Sequence, residues 1–105
     1  MQMINYSNTV TEWNGATLKK LTGLGERSAT GMAEEKGIYV IDVKKESVAA
    51  KFGLQKNDVI LKVDGQVVNN VKDVITTYTG SLWKGTVPFL IFRNQDEMVI
   101  VTKNE

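Results

Sequence analysis

Gly37-Ile38-Tyr39-Val40-Ile41-Asp42-Val43 is followed, after Lys44-Lys45-Glu46, by Ser47-Val48-Ala49-Ala50-Lys51-Phe52-Gly53-Leu54 and then by Asn57-Asp58-Val59-Ile60-Leu61-Lys62-Val63-Asp64-Gly65. The first run is β-branched and aromatic and bounded by polar residues, which reads as a largely buried strand. Ser47 can accept hydrogen bonds from the first free amides of a short helix, and Gly53 supplies the left-handed residue that stops it after about one and a half turns. Leu54 then closes the turn against a core. The third run predicts another strand, and Asp64-Gly65, the strongest short turn signal in the sequence, returns the chain into Gln66-Val67-Val68 as a hairpin.

Working outward, Asn70 with Asp73 three residues on has the form of a capping box, and Val71, Val74, Ile75 and Tyr78 fall on one helical face. That helix is rich in β-branched residues, so packing rather than intrinsic propensity must hold it, and Gly80 is expected to end it. Val87–Arg93 and Met98–Lys103, joined by a polar turn over Asn94–Glu97, predict a terminal hairpin. Pro88 fits near a strand start or edge, because it cannot donate to a ladder. Upstream of Gly37, residues 15–21 are a candidate strand and residues 28–33 a loose helical turn.

The order of these elements resembles a PDZ domain. Gly37-Ile38-Tyr39-Val40-Ile41-Asp42-Val43 followed by Ser47-Val48-Ala49-Ala50 is similar to the family's Gly-Val-x-Val-x-x-Val and Ser-Pro-Ala-Ala. Gly53-Leu54-Gln55-Lys56-Asn57-Asp58-Val59-Ile60 with Asp64-Gly65 is similar to its Gly-Leu-x-x-Gly-Asp-x-Ile and Asn-Gly. These anchors and the elements after them span residues 37–103. Asn57 stands where the family has glycine and tolerates the left-handed backbone best after it, while Val48 replaces a proline that preorganises the short helix. A last strand supplied by Met98–Lys103 matches the bacterial arrangement, as in high-temperature-requirement proteases.

The resemblance implies a mainly β fold with two helices: a partly open five- to six-stranded barrel or sandwich capped by one short and one longer helix. Residues 12–104 are expected to form it, with 1–11 as a linker or tail. It also implies a site where an extended or C-terminal peptide adds as a strand beside the longer helix, its carboxylate held by backbone amides. In one register Trp13-Asn14-Gly15-Ala16 is the carboxylate loop and Ala16–Leu21, with Thr17 and Leu18, the docking strand. In the other, Gly23-Leu24-Gly25-Glu26 is the loop. The first is preferred because it leaves the C-terminal strand in its usual place and keeps Glu26 out of an apolar pocket. Val71, Ile75 and Tyr78 would line the groove and Val74 the core. An apolar Val71, where many family members carry histidine, favours an apolar ligand side chain two positions before the terminus. By spacing alone, the same three residues read simply as the buried face of a helix.

Composition narrows the alternatives. The chain has 105 residues, 42% hydrophobic and 24% charged, the size and content of one domain, expected to be monomeric in isolation. A net charge of +1 gives no field that draws nucleic acid or an anionic membrane, and no apolar run reaches the roughly 20 residues of a membrane span. With no cysteine and no histidine, nucleophilic thiols, zinc-thiolate centres and His-based triads are excluded, and no recognised catalytic, phosphate or calcium motif is present. An enzyme is therefore not expected, nor a metal or cofactor. Trp13 and Trp83 read as packing residues, Trp13 also as a ligand contact; Lys19 and Lys20 read as a solvated strand face, and Glu34-Glu35-Lys36 as a surface loop. Two functions follow: a peptide-binding accessory module of a larger bacterial protein, in the envelope or secreted if so excised, or a structural accessory domain of a secreted hydrolase, carbohydrate-active ones included, whose groove is closed or self-occupied.

Overall fold

The computed structural model describes residues 10–103. Of the stretch read as a linker or tail, residues 1–9 lie outside the described residues, while Thr11 already opens a strand. The elements run β1 (Thr11–Trp13), β2 (Ala16–Lys20), α1 (Gly23–Thr30), β3 (Ile38–Val43), α2 (Val48–Phe52), β4 (Val59–Val63), β5 (Gln66–Val67), α3 (Val71–Ser81), β6 (Thr86–Arg93) and β7 (Asp96–Lys103). The seven strands form one open antiparallel sheet in the order β1-β2-β3-β4-β6-β7, with β5 paired to β4 as a short branch. Three helices, rather than two, accompany it.

The signals around the deciding stretch act as their chemistry requires. The Ser47 hydroxyl accepts from the Ala50 amide at 3.2 Å, and Gly53 sits at φ 100° with its amide donating to Ala50. Asn57 is left-handed at φ 71°, and its side-chain carbonyl accepts from the Tyr39 hydroxyl at 2.9 Å. Burial, and then the charge of Glu26, push the Tyr39 phenol upward from its ordinary pKa. Asn70 Oδ1 accepts from the Asp73 amide at 2.8 Å, and Asp73 Oδ2 accepts from the amide of Asn69, the residue before the cap, at 2.9 Å, a variant of the capping box.

Asp58, from the Asn57-Asp58 pair, is fully buried and fixes the base of the sheet. Arg93 reaches it from β6 with two hydrogen bonds, Nε to Oδ1 at 2.8 Å and Nη2 to Oδ2 at 2.7 Å, and also donates to the Gly53 carbonyl. The Gln55 amide donates to the same carboxylate. Those bonds raise the already high pKa of the guanidinium, and this two-pronged geometry is what guanidinium and carboxylate planes favour. It pins the α2–β4 connection to the end of β6.

One principal core runs beneath the sheet, from Ala16, Leu18, Ile38 and Val40 through Ala49, Ile60, Val63 and Val74 to Val87, Phe89 and Ile91. A smaller cluster of Leu21, Met32 and Val59, with Tyr39, Leu61 and Phe92 packed on it, gathers the segments that flank α1. Pro88 occurs inside β6, but its carbonyl accepts from Asp64, where β4 has already turned away. The missing amide therefore faces the end of the β4 ladder, and β7 pairs on the other side.

Several local expectations are corrected. Residues 28–33 belong in part to a full helix that begins at Gly23. The terminal turn is only Asn94-Gln95, both left-handed, so Asp96 and Glu97 lie in β7. Gly80 does not end α3: the helix continues to Ser81 and a 3-10 turn at Leu82–Lys84, stopping at Gly85 with φ 83°. Tertiary anchors carry it past the glycine, since the Ser81 hydroxyl donates to Asp64 at 2.8 Å and Leu82 packs against the core. Trp83 is no packing residue but 81% exposed, because the 3-10 turn aims it outward beside Lys84. Lys19 is buried rather than solvated: α1 covers it, and its ammonium meets Glu26 at 2.6 Å and Thr22 Oγ1 at 3.1 Å.

Candidate functional site

The candidate site is built where β2 passes α3. Asn14 and Gly15 have φ 53° and 91°, the two positive values of a type I′ turn, and they fold β1 back onto β2 as a two-residue hairpin. Thr11 pairs with Leu18, Glu12 with Thr17 and Trp13 with Ala16. On its opposite edge β2 pairs with β3, Ala16 with Val43, Thr17 with Asp42 and Leu18 with Val40 across a bulge. Over Ala16–Leu18 the strand expected to offer an unpaired edge thus has a neighbour on each side. The expected open edge is, in this conformation, covered by the chain's own β1.

The turn is fastened from below. The Asn14 carbonyl accepts from the Ala49 amide and the Gly15 carbonyl from the Lys44 amide, each at 2.8 Å. Gly15 lies so close to Ser47 that an added Cβ would sit 2.2 Å from the Ser47 Cβ. A side chain at position 15 is excluded by space as well as by backbone conformation.

Trp13 and Ala16 are directly opposite and share the inward face, with Leu18 two residues on. α3 lies against β2 and supplies the facing wall: Val74 is fully buried, Tyr78 nearly so, and Val71 and Ile75 are half-buried against the same core. The Trp13 indole packs into this cluster. Its ring centroid is 5.1 Å from that of Tyr78, 5.9 Å from Phe89 and 6.1 Å from Phe52. Burial pushes the Tyr78 phenol above its ordinary pKa, so the wall stays neutral across the physiological range.

Ala16, Leu18, Val71, Ile75, Tyr78 and Trp13 are therefore brought together in one cluster, with the Asn14-Gly15 turn joining Trp13 to Ala16. Thr17 alternates onto the other face and is half-buried. The alternative loop over Gly23–Gly25 is the first turn of α1 instead, with Leu24 71% exposed and Glu26 paired to Lys19. Phe52 and Phe89 complete the aromatic end of the cluster and were not singled out from the sequence; Phe52, closing the short helix before Gly53, carried the only local signal. Among the described residues no group of three His, Cys, Asp or Glu side chains is placed to hold a metal ion, and no helix is long and apolar enough to cross a membrane.

A sequence model of the PDZ domain matches residues 15–103. Among characterised proteins, the chain is 32% identical over 73 residues to proteins named probable periplasmic serine endoprotease DegP-like, from Brucella suis and Brucella abortus. The match takes 70% of this chain but only 14% of each relative, so the chain spans a small part of their length. Among solved structures, the HtrA3 PDZ domain bound to a phage-derived ligand, FGRWV, superposes with a TM-score of 0.69 at 19% identity, covering 92% of this chain and 88% of that one. The HtrA-type protease AlgW with a decapeptide gives 0.70 at 24% identity, covering 90% of this chain and 29% of that one. At these identities the likeness is one of fold.

Proposed function

Because the chain belongs to the PDZ domain family, we propose that it docks an extended or C-terminal peptide by strand addition along Ala16–Leu18, facing α3, as an accessory module of a longer bacterial protein. The observation that carries this reading is the packing of Ala16 and Leu18 of β2 with Val71, Ile75 and Tyr78 of α3 in one apolar cluster, beside the β2 edge that β1 occupies. Main-chain bonds to β2 would supply affinity and the wall would supply side-chain selectivity. Val71, apolar and half-buried at the start of α3, favours an apolar ligand residue two places before the terminus. With neither cysteine nor histidine in the chain, chemistry on the recruited partner would fall to another part of such a protein, a serine protease domain by analogy with the relatives.

The test is a titration of the protein with FGRWV and a library of free-carboxylate peptides, followed by amide chemical shifts. Saturable changes confined to residues 14–21 and 71–78 are expected, with Val or Phe preferred over Ser or Thr two places before the terminus. Silence across the library from this protein and from Trp13→Ala alike, or changes scattered over the opposite face, would end this reading.

A second reading has one specific observation in its favour. Since β1 already pairs with β2, the domain can serve as a structural accessory with a self-occupied groove. The two readings part on whether β1 yields.

A further inference from the structure

β1 has the geometry of a ligand. It runs antiparallel to β2, pairs with the edge left by β3, and places its last residue, Trp13, opposite Ala16 in the aromatic cluster. The indole is 9% exposed and sits among Tyr78, Phe52 and Phe89. The rest of β1 is held lightly. The segment is three residues long, Glu12 is exposed, and its ion pair with Lys44, at 3.2 Å, is open to water on both sides. A short strand with one deep anchor and a solvated remainder is what an exchangeable occupant requires.

We infer that β1 is a built-in pseudo-ligand: Trp13 closes the groove in the resting domain, and an incoming peptide binds by displacing β1 from β2. This inference rests on the peptide-docking reading and adds its regulation. A ladder edge takes one partner at a time, so β1 and a peptide along Ala16–Leu18 exclude each other. The apparent affinity for peptide is then the intrinsic affinity reduced by the fraction of molecules with β1 released. The Trp13 pocket also sets the chemistry of the displacing residue, which must be large and apolar to replace an indole against three aromatic rings.

Glu12 and Thr17 are direct cross-strand partners, and their side chains lie on the face away from Trp13. Such partners lie roughly 4.5–5.5 Å apart between Cα atoms, within the span of a disulfide. The chain contains no cysteine, so Glu12→Cys with Thr17→Cys introduces the only two thiols. Oxidation pins β1 to β2 without touching the pocket; reduction frees it in the same protein. The probes are FGRWV and the best binder from a randomised library of free-carboxylate heptapeptides, measured by calorimetry.

The oxidised form should bind at least tenfold more weakly than the reduced form, and Trp13→Ala should bind at least as tightly as the unmodified protein. Equal affinity of the oxidised and reduced forms would overturn the inference while leaving peptide docking intact. Failure of every probe to bind the reduced form and Trp13→Ala alike would overturn the docking reading, and this one with it. A second readout guards against misfolding of Trp13→Ala. In a Trp83→Phe background Trp13 is the sole tryptophan, and a tryptophan-free peptide should shift its emission to the red as the indole enters water; an unchanged spectrum at saturation counts against displacement.

Discussion

The Trp13 indole stands edge-on to the Tyr78 ring, with centroids 5.1 Å apart and planes 85° apart, and so ties the first strand of the sheet to the far half of α3. Edge-to-face pairs add about 0.5–1.5 kcal/mol beyond the area they bury. Trp13→Ala and Tyr78→Ala should each lower stability by roughly 3–5 kcal/mol, and the double variant should lose less than the sum by about 1 kcal/mol. Urea unfolding of the four proteins measures this, and strict additivity would show that the rings do not interact.

Gly15 and Gly65 share a left-handed backbone but not a neighbourhood. Both have positive φ, 91° and 78°, yet a Cβ on Gly65 meets nothing within 4 Å while one on Gly15 strikes Ser47. Gly65→Ala should therefore cost only the conformational penalty, about 1 kcal/mol, and Gly15→Ala distinctly more. Similar losses for the two, in denaturant unfolding, would mean that the loop moves away from Ser47 at little cost.

Asp58 and Arg93 form a pair with side chains 1% and 17% exposed. Removing one member leaves the other short of its partner in a poorly solvated place, which typically costs about 3–5 kcal/mol. Asp58→Asn should fall near the lower figure, because the amide still accepts one bond. Asp58→Leu combined with Arg93→Met should recover part of the loss. A thermal midpoint for Asp58→Asn equal to that of the parent would show the pair to be dispensable.

Asp64 accepts from both Lys84 Nζ, at 2.6 Å, and Ser81 Oγ, at 2.8 Å, and these bonds, the lysine's foremost, hold its carboxyl below the usual aspartate pKa. A depressed folded-state pKa stabilises above the unfolded value of about 3.9 and is lost as pH falls through the folded value. Asp64→Asn keeps a residue suited to the Asp64-Gly65 turn but abolishes the charge. Its stability deficit should be constant near neutrality and shrink as the medium is acidified below about pH 4. A deficit independent of pH, in urea midpoints taken from pH 2 to 7, would assign it to turn geometry instead.

Much of this fold was legible where one local signal had one outcome. The Ser47 cap, the left-handed Gly53 and Asn57, the Asp64-Gly65 turn and the Asn70–Asp73 cap all depend on neighbours within four residues. Errors arose where distant contacts decide. Nothing local to Lys19 announces that Glu26 and α1 will bury it, and nothing near Gly80 shows that Asp64 holds Ser81. At the site, the packing of Val71, Ile75 and Tyr78 on one face of α3 toward the core followed from helical spacing. The pairing of β1 with β2 did not, although Asn14-Gly15 is, like Asp64-Gly65, a two-residue hairpin signal. Read as a carboxylate loop, the dipeptide conceals the strand that it folds back.

The β6–β7 ladder has eight consecutive pairs, from Thr86 with Lys103 to Arg93 with Asp96, closed by Asn94-Gln95 alone. Its ends meet after the shortest possible loop, whereas β4 must cross the whole of α3 to reach β6. Hairpins assemble on a scale of about 1–10 μs, and contacts between remote segments come later. Both this hairpin and β1–β2 close through two residues, but eight pairs against three make β6–β7 the larger local nucleus, so refolding is expected to start there, with the β4–β6 pairing following once α3 has been crossed.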